Sequence, residues 1–264
     1  EQSNTGSFVR SLLSDDVEQK VRTEETFAMQ LNDQWYRDQY AVVLTSVSDS
    51  VLAAKIRNSE RSLLADAFKR EMARWEQEIY EKLEQTEYSD SLWQDHGWKV
   101  RIQHDYVKNV DTTNFITFKR TLERNDRWMW AWWQDDVQNI NFLDDDWINA
   151  KRDSLMKLYI RGSRDSSYIQ TEYRRPVETE TFQKGRLLGY ETLGTWQMIN
   201  DAMGGPFVNF TYYDPQSRRL FMVEYGQFAP GVKKLRFVKQ FRVMGRTFES
   251  DSTWSEPEVM SELR

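Results

Sequence analysis

The segment 128–133, with the sequence WMWAWW, carries four indole side chains. Successive side chains of a β-strand point to opposite faces of the sheet, so Trp128, Trp130 and Trp132 would share one face and Trp133 would lie on the other. If the shared face is exposed, the three indoles could stack on sugar rings or contact a partner protein. If a helix covers it, the same indoles form core. Both alternatives stay open at this point, and Trp128, Trp130 and Trp132 are the candidate binding surface.

Two clusters of carboxylates flank the apolar segment 140–143, with Asp135 and Asp136 before it and the sequence DDD at 144–146 after it. Clustered carboxylates suit Ca²⁺, which takes roughly six to eight oxygen ligands. The spacing is not that of an EF-hand loop, however, and acidic residues just before a helix cap its N-terminus and complement its dipole. We therefore predict capping at 144–146 and no metal site.

The remaining chemistry-bearing residues form no catalytic constellation. The two histidines, His96 and His104, could bind zinc together with Asp105, but their spacing is not that of a helical zinc motif. The chain has no cysteine, which excludes thiol nucleophiles, thiolate metal sites and disulfides. Gly204 and Gly205 are a lone glycine pair, for which we expect a tight turn that lets two chain segments approach. No cofactor is predicted.

The elements that would position these residues begin with a strand and a long helix. The apolar, β-branched segment 40–47 predicts a strand that is buried on both faces. Apolar residues at three- and four-residue spacing over 50–84 predict one long helix. Beyond it, strands are predicted at 98–103, 115–118, 128–133, 168–172, 177–182, 187–196, 207–213 and 220–228, with helices at 147–159 and from 231 to about 244. The first three of these strands form a plausible antiparallel meander.

This order of elements lacks the strand–helix alternation of a doubly wound fold. It predicts an α+β protein, with helices packed on one face of an antiparallel sheet and a smaller unit of strand plus long helix before it. The expected domains are residues 1–95, with the long helix, and residues 96–249, with the sheet. The polar segment 250–264 is expected to be a mobile tail.

The charge of the chain argues against a nucleic-acid partner, and its hydropathy argues against a membrane-spanning helix. The net charge is −6 and the isoelectric point about 5.2, which does not favour a nucleic-acid binder. The basic residues near the C-terminus are interpreted as the solvated face of a helix: Lys233, Lys234, Arg236, Lys239, Arg242 and Arg246. No apolar run approaches the roughly 18 residues that a membrane-spanning helix needs.

A set of separate segments carries a resemblance to known proteins: residues 35–44, 97–106, 150–155, 162–168, 171–172, 195–196 and 203–208. The most specific of them are a KRDS helix at 151–154 and a MGGPF loop at 203–207. In these segments the chain resembles the lipoproteins with domain of unknown function 4837 from Bacteroidota.

The resemblance implies a compartment but no activity. Members carry a secretion leader and a lipid-accepting cysteine, so we expect a periplasm-facing protein of the cell envelope, lipid-anchored through a segment absent from this chain. We expect a non-enzymatic module that binds an envelope protein or glycan, with Trp128, Trp130 and Trp132 as its surface. The alternatives are a hydrolase acting on envelope material and a purely structural domain of an envelope assembly.

Overall fold

A computed structural model describes residues 4–81, 83–164 and 166–253. The chain forms two compact units, residues 1–71 and 72–264, and the boundary falls within a long helix. In chain order, the elements are α1 (Asn4–Ser11), α2 (Asp15–Arg22), β1 (Ala28–Asn32), β2 (Tyr40–Leu44), α3 (Asp49–Tyr80), α4 (Thr86–His96), β3 (Trp98–Lys99), β4 (Val107–Asp111), β5 (Phe115–Arg120), β6 (Asp126–Gln134), α5 (Asp145–Tyr159), β7 (Ile169–Thr171), β8 (Glu178–Lys184), β9 (Leu187–Met198), β10 (Gly204–Asp214), β11 (Arg219–Phe228), α6 (Leu235–Arg246) and β12 (Glu249–Ser250). No helix in these described ranges has the length and apolarity to cross a membrane.

The first unit contains α1, α2, the β1–β2 hairpin and the first part of α3. The strand predicted at 40–47 is present as β2, but it is half-buried and not buried on both faces. The reason is that β2 pairs only with β1 in a two-stranded sheet, from Ala28 opposite Leu44 to Asn32 opposite Tyr40. The predicted domain limit at residue 95 lies further along the chain, in α4, whose Leu92 belongs to the core of the second unit.

The second unit is built on an antiparallel sheet of eight strands in the order β4-β5-β6-β11-β10-β9-β7, with β8 also paired to β9. β9, β10 and β11 are long strands whose neighbours pair almost along their full length. The α+β class predicted from the sequence is confirmed.

Helices cover both faces of this sheet, whereas the sequence analysis placed them on one face. α5 packs on the face that carries Trp130, Trp132 and Met222. The end of α3, α4 and α6 pack on the opposite face, which carries Met129 and Trp133. Both faces need cover because β6, β10 and β11 are apolar on each side, so their burial pattern is continuous and not alternating.

The antiparallel meander has a different outer strand from the one predicted at 98–103. Within the predicted strand 98–103, Trp98–Lys99 forms β3, whose partner is β12 and not β5, and Gln103 forms an isolated bridge with Glu84. Val100 and Ile102 are fully buried, but the Arg101 backbone N–H donates to the Thr247 hydroxyl at 2.9 Å, so this segment is bonded outside the sheet. β4 takes the outer place beside β5.

The segment beyond residue 249 begins in a paired and buried strand. The Ser250 hydroxyl is buried and donates to Asp214 Oδ2 at 2.9 Å. The expectation of a tail starting at residue 250 therefore needs correction at its first residue, because β12 is fixed by β3. Residues 254–264 of that expected tail lie outside the described residues.

The basic face predicted for the C-terminal helix is present on α6, but part of it points into the protein. Arg246 Nε donates to the buried Glu191 carboxylate at 2.9 Å, and Arg242 pairs with the same carboxylate. The Arg246 guanidinium also lies 3.6 Å from the centre of the Phe182 ring. These two arginines attach α6 to β9, so they are not solvated charges.

A fully buried ion pair attaches α5 to the other face of the sheet. The Arg152 guanidinium donates two hydrogen bonds to the Glu224 carboxylate, Nε to Oε2 at 2.7 Å and Nη2 to Oε1 at 2.9 Å. Asn209 Nδ2 adds a third donor to Glu224 at 3.1 Å. Burial raises the pKa of the Glu224 carboxyl, and the Arg152 guanidinium opposes that shift.

Asp153 and Thr171 complete the network. Arg152 Nη1 donates to Thr171 Oγ1 at 3.0 Å, and the Thr171 backbone N–H and hydroxyl donate to Asp153 Oδ1 at 2.8 and 2.7 Å. The second carboxylate oxygen of Asp153 accepts from the Tyr173 hydroxyl at 2.9 Å. The KRDS helix and Thr171, which both belong to segments that carry the family resemblance, therefore meet in one polar network.

We predict that Glu224→Gln lowers the free energy of unfolding by about 3 kcal/mol, because it removes the carboxylate that accepts two hydrogen bonds from the buried Arg152 guanidinium and leaves Asp153, at 3.1 Å, as its counter-ion. Arg152→Met should cost a similar amount. The double variant should be less destabilised than the sum of the two, as expected for a directly coupled pair. Urea denaturation of the four proteins measures this cycle. Additive losses would show that the two groups do not act as a pair.

Candidate functional site

The three indoles of the candidate binding surface differ in their exposure to solvent. Trp128, Trp130 and Trp132 do share one face of β6, and Trp133 lies on the other, as predicted. Trp130 is 0% exposed and Trp132 is 4% exposed, because α5 covers them with Ile148 and neighbouring apolar residues. Of the two alternatives left open by the sequence, core packing therefore applies to Trp130 and Trp132, whereas half-buried Trp128 reaches a cavity.

Trp128 is positioned by a glycine on the neighbouring strand. Trp128 pairs with Gly226 of β11, and a Cβ at Gly226 would come within 2.5 Å of the indole ring. The ring therefore lies directly over the Gly226 backbone. Its other neighbour is Trp196, whose ring centre is 5.2 Å away in an edge-to-face arrangement.

Beside Trp128 is a pocket of about 320 Å³, which we call the aromatic pocket. Its walls come from β4, β5, β6, the end of α5 and the ends of β9 and β11. The lining residues are Asn109, Val110, Thr117, Phe118, Lys119, Asp126, Trp128, Tyr159, Ile160, Arg161, Gly162, Ser163, Ile169, Trp196, Met198, Met203 and Phe228.

The aromatic rings around this pocket are packed on one another. Tyr159 stacks on Phe115 with ring centres 4.0 Å apart, and Trp196 contacts both Trp128 and Phe228. Trp196 is 1% exposed, and its Nε1–H donates to the Gln227 carbonyl at 3.2 Å. The pocket is thus a recess and not a flat ring surface, and its lining combines these aromatic and aliphatic groups with polar ones that include Lys119, Asp126 and Arg161.

Next to it lies a wider opening of about 610 Å³, which we call the charged cleft. It is formed by the turn after β7, the end of β9, the start of β10 and the start of α6. The lining residues are Glu172, Arg174, Arg175, Thr195, Trp196, Gln197, Met198, Asp201, Ala202, Met203, Gly204, Gly205, Pro206 and Lys234. Trp196, Met198 and Met203 line both cavities, so these three residues are a shared wall.

The charges of the cleft are partly paired. Arg174 Nε donates to Glu172 Oε1 at 2.8 Å, and its Nη2 donates to Oε2 at 2.5 Å. This contact lowers the pKa of the Glu172 carboxyl to about 2, so the residue stays ionised at neutral pH. Arg164 Nη1 lies 3.7 Å from Asp201 Oδ1.

The glycine pair begins β10 and does not form the expected turn. A Cβ at Gly205 would lie 1.9 Å from the Gln227 carbonyl oxygen, and one at Gly204 would lie 2.9 Å from the Trp196 carbonyl oxygen. The predicted role, close approach of two chain segments, is confirmed. The turn was wrongly placed because Gly204 and Gly205 already pair with Gln197 and Trp196 of β9.

The acidic residues singled out in the sequence have structural partners. Asp144 Oδ1 accepts from the Trp147 backbone N–H at 2.8 Å and so caps α5, as predicted. Asp135 accepts from Arg219 Nε at 2.5 Å, and Asp136 lies 3.0 Å from Arg218. Among the residues that the structure describes, no group of three or more acidic or histidine side chains is placed to hold a metal ion.

The two histidines lie away from both cavities. The His96 ring packs on Trp133, with ring centres 4.6 Å apart, and burial lowers its pKa. His104 Nε2 lies 3.8 Å from Asp105 Oδ2. The structure therefore does not bring the histidines together with Glu172 or Asp201.

The residues of the charged cleft were not singled out as a site from the sequence, but a signal for them was present. Residues 171–172, 195–196 and 203–208, which carry the family resemblance, are far apart in the sequence and converge here. Lys234 and Arg175 lie outside these segments: the sequence analysis assigned Lys234 to the solvated face of a helix and did not single out Arg175.

We predict that Trp130→Ala and Trp128→Ala differ in their cost. Trp130→Ala should lower the free energy of unfolding by about 3–5 kcal/mol, since it empties a fully buried site. Trp128→Ala should cost clearly less, because half-buried Trp128 borders a cavity and its removal enlarges an existing opening. Chemical denaturation compares the two variants. Equal losses would mean that Trp128 is as much a core residue as Trp130.

Comparison with known proteins places the chain in a family. No curated protein matches it. Two solved structures resemble it weakly, each at 8% sequence identity and a TM-score of 0.37. The match to a Mog1 protein with the E65A substitution covers 60% of this chain and 92% of the Mog1 chain. The match to the Saccharomyces cerevisiae Ran-binding protein Mog1p covers 58% of this chain and 90% of the Mog1p chain. The model of one family, Domain of unknown function (DUF4837), matches residues 85–247, which is more than half of the chain. The chain belongs to this family.

Proposed function

We propose that this protein is a non-enzymatic binding module and that its aromatic pocket receives an apolar side chain of a partner protein. The observation that carries the proposal is the pocket itself, a recess of about 320 Å³ whose lining is mostly apolar and adjoins a charged cleft. Ligand sites in proteins are typically concave and mostly apolar, with a few polar groups that orient the ligand. A buried apolar anchor surrounded by polar contacts is also how hot spots of protein interfaces are built.

The packing of the rings favours a protein partner over a glycan. A sugar ring stacks on the open face of an aromatic side chain. Here Trp130 and Trp132 are in the core, the Tyr159 face is covered by Phe115, and Trp128 lies over Gly226. What remains open is a recess lined by aromatic and aliphatic residues with a few polar ones at its walls, which suits a Leu, Met or Phe side chain.

The arrangement gives less support to a hydrolase. Glu172 is held as a carboxylate by Arg174, with a pKa of about 2, so it is poorly suited to carry a proton at neutral pH. A purely structural domain would not need the aromatic pocket and the charged cleft, whose shared wall includes Trp196 and Met203 from the segments that resemble the family.

We further propose that the protein acts in the cell envelope, facing the periplasm and held at a membrane by an N-terminal lipid anchor on the full-length protein. The support is membership of the family, whose resemblance implies a leader and a lipid-accepting cysteine. A lipid-anchored module exposes its pocket to other envelope proteins, which agrees with a protein partner.

The binding proposal is tested by selecting peptides from a random phage-displayed library on the immobilised protein, with a glycan array probed in parallel. We expect the selected peptides to share one apolar position. Met203→Trp, which places an indole in the shared wall, should weaken their binding by about tenfold or more, a loss of roughly 1.4 kcal/mol.

Met29→Trp is the matched control, because Met29 lies in β1 and lines neither cavity. It should leave peptide binding unchanged, and thermal unfolding checks that both variants are folded. Selected peptides that bind Met203→Trp as tightly as the unaltered protein, or binding of glycans alone, would contradict the proposal.

The envelope proposal predicts that the full-length gene product incorporates an alkyne-labelled fatty acid and sediments with membranes after cell fractionation. Replacing the cysteine that accepts the lipid by Ser should release it into the soluble fraction. A full-length product that stays unlabelled and is recovered with the cytosolic proteins would argue against a lipid anchor.

A further inference from the structure

The charged cleft holds more positive charge than its own carboxylates neutralise. Its two acidic residues each face an arginine, Glu172 with Arg174 and Asp201 with Arg164. Two further cationic side chains line the cleft, Arg175 and Lys234. This local excess stands out because the whole chain carries a net charge of −6.

Arg175 and Lys234 are available to a ligand. Arg175 is exposed, and its backbone N–H donates to the Glu172 carbonyl at 3.0 Å, so the turn that pairs Glu172 with Arg174 also holds Arg175 at the cleft. The Lys234 ammonium donates to the Ala229 carbonyl oxygen, which leaves its charge uncompensated. Over the described ranges, no carboxylate lies within ion-pair distance of either cation.

The two cavities are close enough for one short segment to occupy both. They share the wall of Trp196, Met198 and Met203, in which the Met198 backbone N–H donates to the Met203 carbonyl at 2.8 Å. A segment whose apolar side chain fills the aromatic pocket therefore passes over this wall into the cleft. An anionic group next to the anchor would meet Arg175 and Lys234 there.

We infer that the partner segment carries a carboxylate beside its apolar anchor and that Arg175 and Lys234 bind this carboxylate. The inference rests on the proposed function, because the carboxylate belongs to the same partner segment as the apolar side chain that fills the aromatic pocket. The carboxylate belongs to an Asp or Glu side chain or to the end of a chain, all of which present the same two oxygens to an arginine or a lysine.

The test uses three small probes with the same leucine side chain and different charge: N-acetyl-leucinamide (neutral), N-acetyl-leucine (anionic) and leucinamide (cationic). Binding to the chain is followed by NMR of ¹³C-labelled methionine methyls, with Met198 and Met203 assigned by substitution to Leu. We expect the anionic probe to bind about two- to fivefold more tightly than the neutral one, as for partly exposed ion pairs. The cationic probe should bind least, and added salt should reduce these differences.

Arg175→Gln combined with Lys234→Gln should remove the advantage of the anionic probe and leave the neutral probe unaffected. Lys233→Gln is the matched control, since Lys233 is exposed in the same segment and does not line the cleft. The charge-conserving pair Arg175→Lys and Lys234→Arg should restore the preference. A preference that returns in the charge-conserving variant shows that the glutamine variants lose it through their missing charge and not through a general disturbance of the cleft.

Two outcomes overturn the inference, and they are distinguishable. If the neutral and anionic probes shift the two methyls with equal affinity, the carboxylate site is wrong and the apolar pocket stands. If no probe shifts either methyl while the selected peptides also fail to respond to Met203→Trp, the proposed function fails together with the inference.

Discussion

The buried contact between Arg152 and Glu224 is the constraint on which the rest of the second unit depends. Glu224 sits in the middle of β11, opposite Trp130 on one side and Asn209 on the other. A carboxylate in that place is costly unless it is paired, so α5 must approach closely enough for Arg152 to reach it. Once α5 is there, the indoles of Trp130 and Trp132 are covered. One ion pair therefore decides that the most visible feature of the sequence is core and not surface.

The same helix sets the limits of the cavities. α5 ends at Tyr159, and beyond it the sheet face is covered by the loop at 160–163, which together with Trp128 and Phe228 surrounds the aromatic pocket. The Asp153–Thr171 contact holds β7 beside α5, and the turn after β7 carries Glu172, Arg174 and Arg175 into the charged cleft. The core and the cleft are thus linked through the chain, because Thr171, which holds α5, is followed directly by Glu172, which lines the cleft.

Much of this fold could be predicted from the sequence, since the long helix and most strands of the large sheet carry clear periodicity. The alternation of Trp128, Trp130 and Trp132 against Trp133 was correctly assigned to two faces. The cover over Trp130 and Trp132 comes from α5, about 20 residues further along, and the charge pair that attaches α5 joins residues 72 apart in sequence, which has no local signature. The same limit explains the segment 98–103. Its apolar alternation is real, but its backbone is bonded to Gln85 and Ser89 just before it and to Thr247 near the far end of the chain, and not to β5.

The charged cleft was harder to foresee, because the residues that make it up come from four separate parts of the chain. Arg174 and Arg175 are adjacent in sequence and similar in composition, yet one is bonded to Glu172 and the other is left for a ligand. Composition assigned the basic residues near the C-terminus to one solvated face. In the structure Arg242 and Arg246 neutralise a buried glutamate, whereas Lys234 faces the cleft. The chemistry of a cationic side chain here depends on whether a carboxylate lies within reach, and that distance is set by tertiary packing. A protein with an acidic net charge can therefore still offer a local site to an anionic ligand.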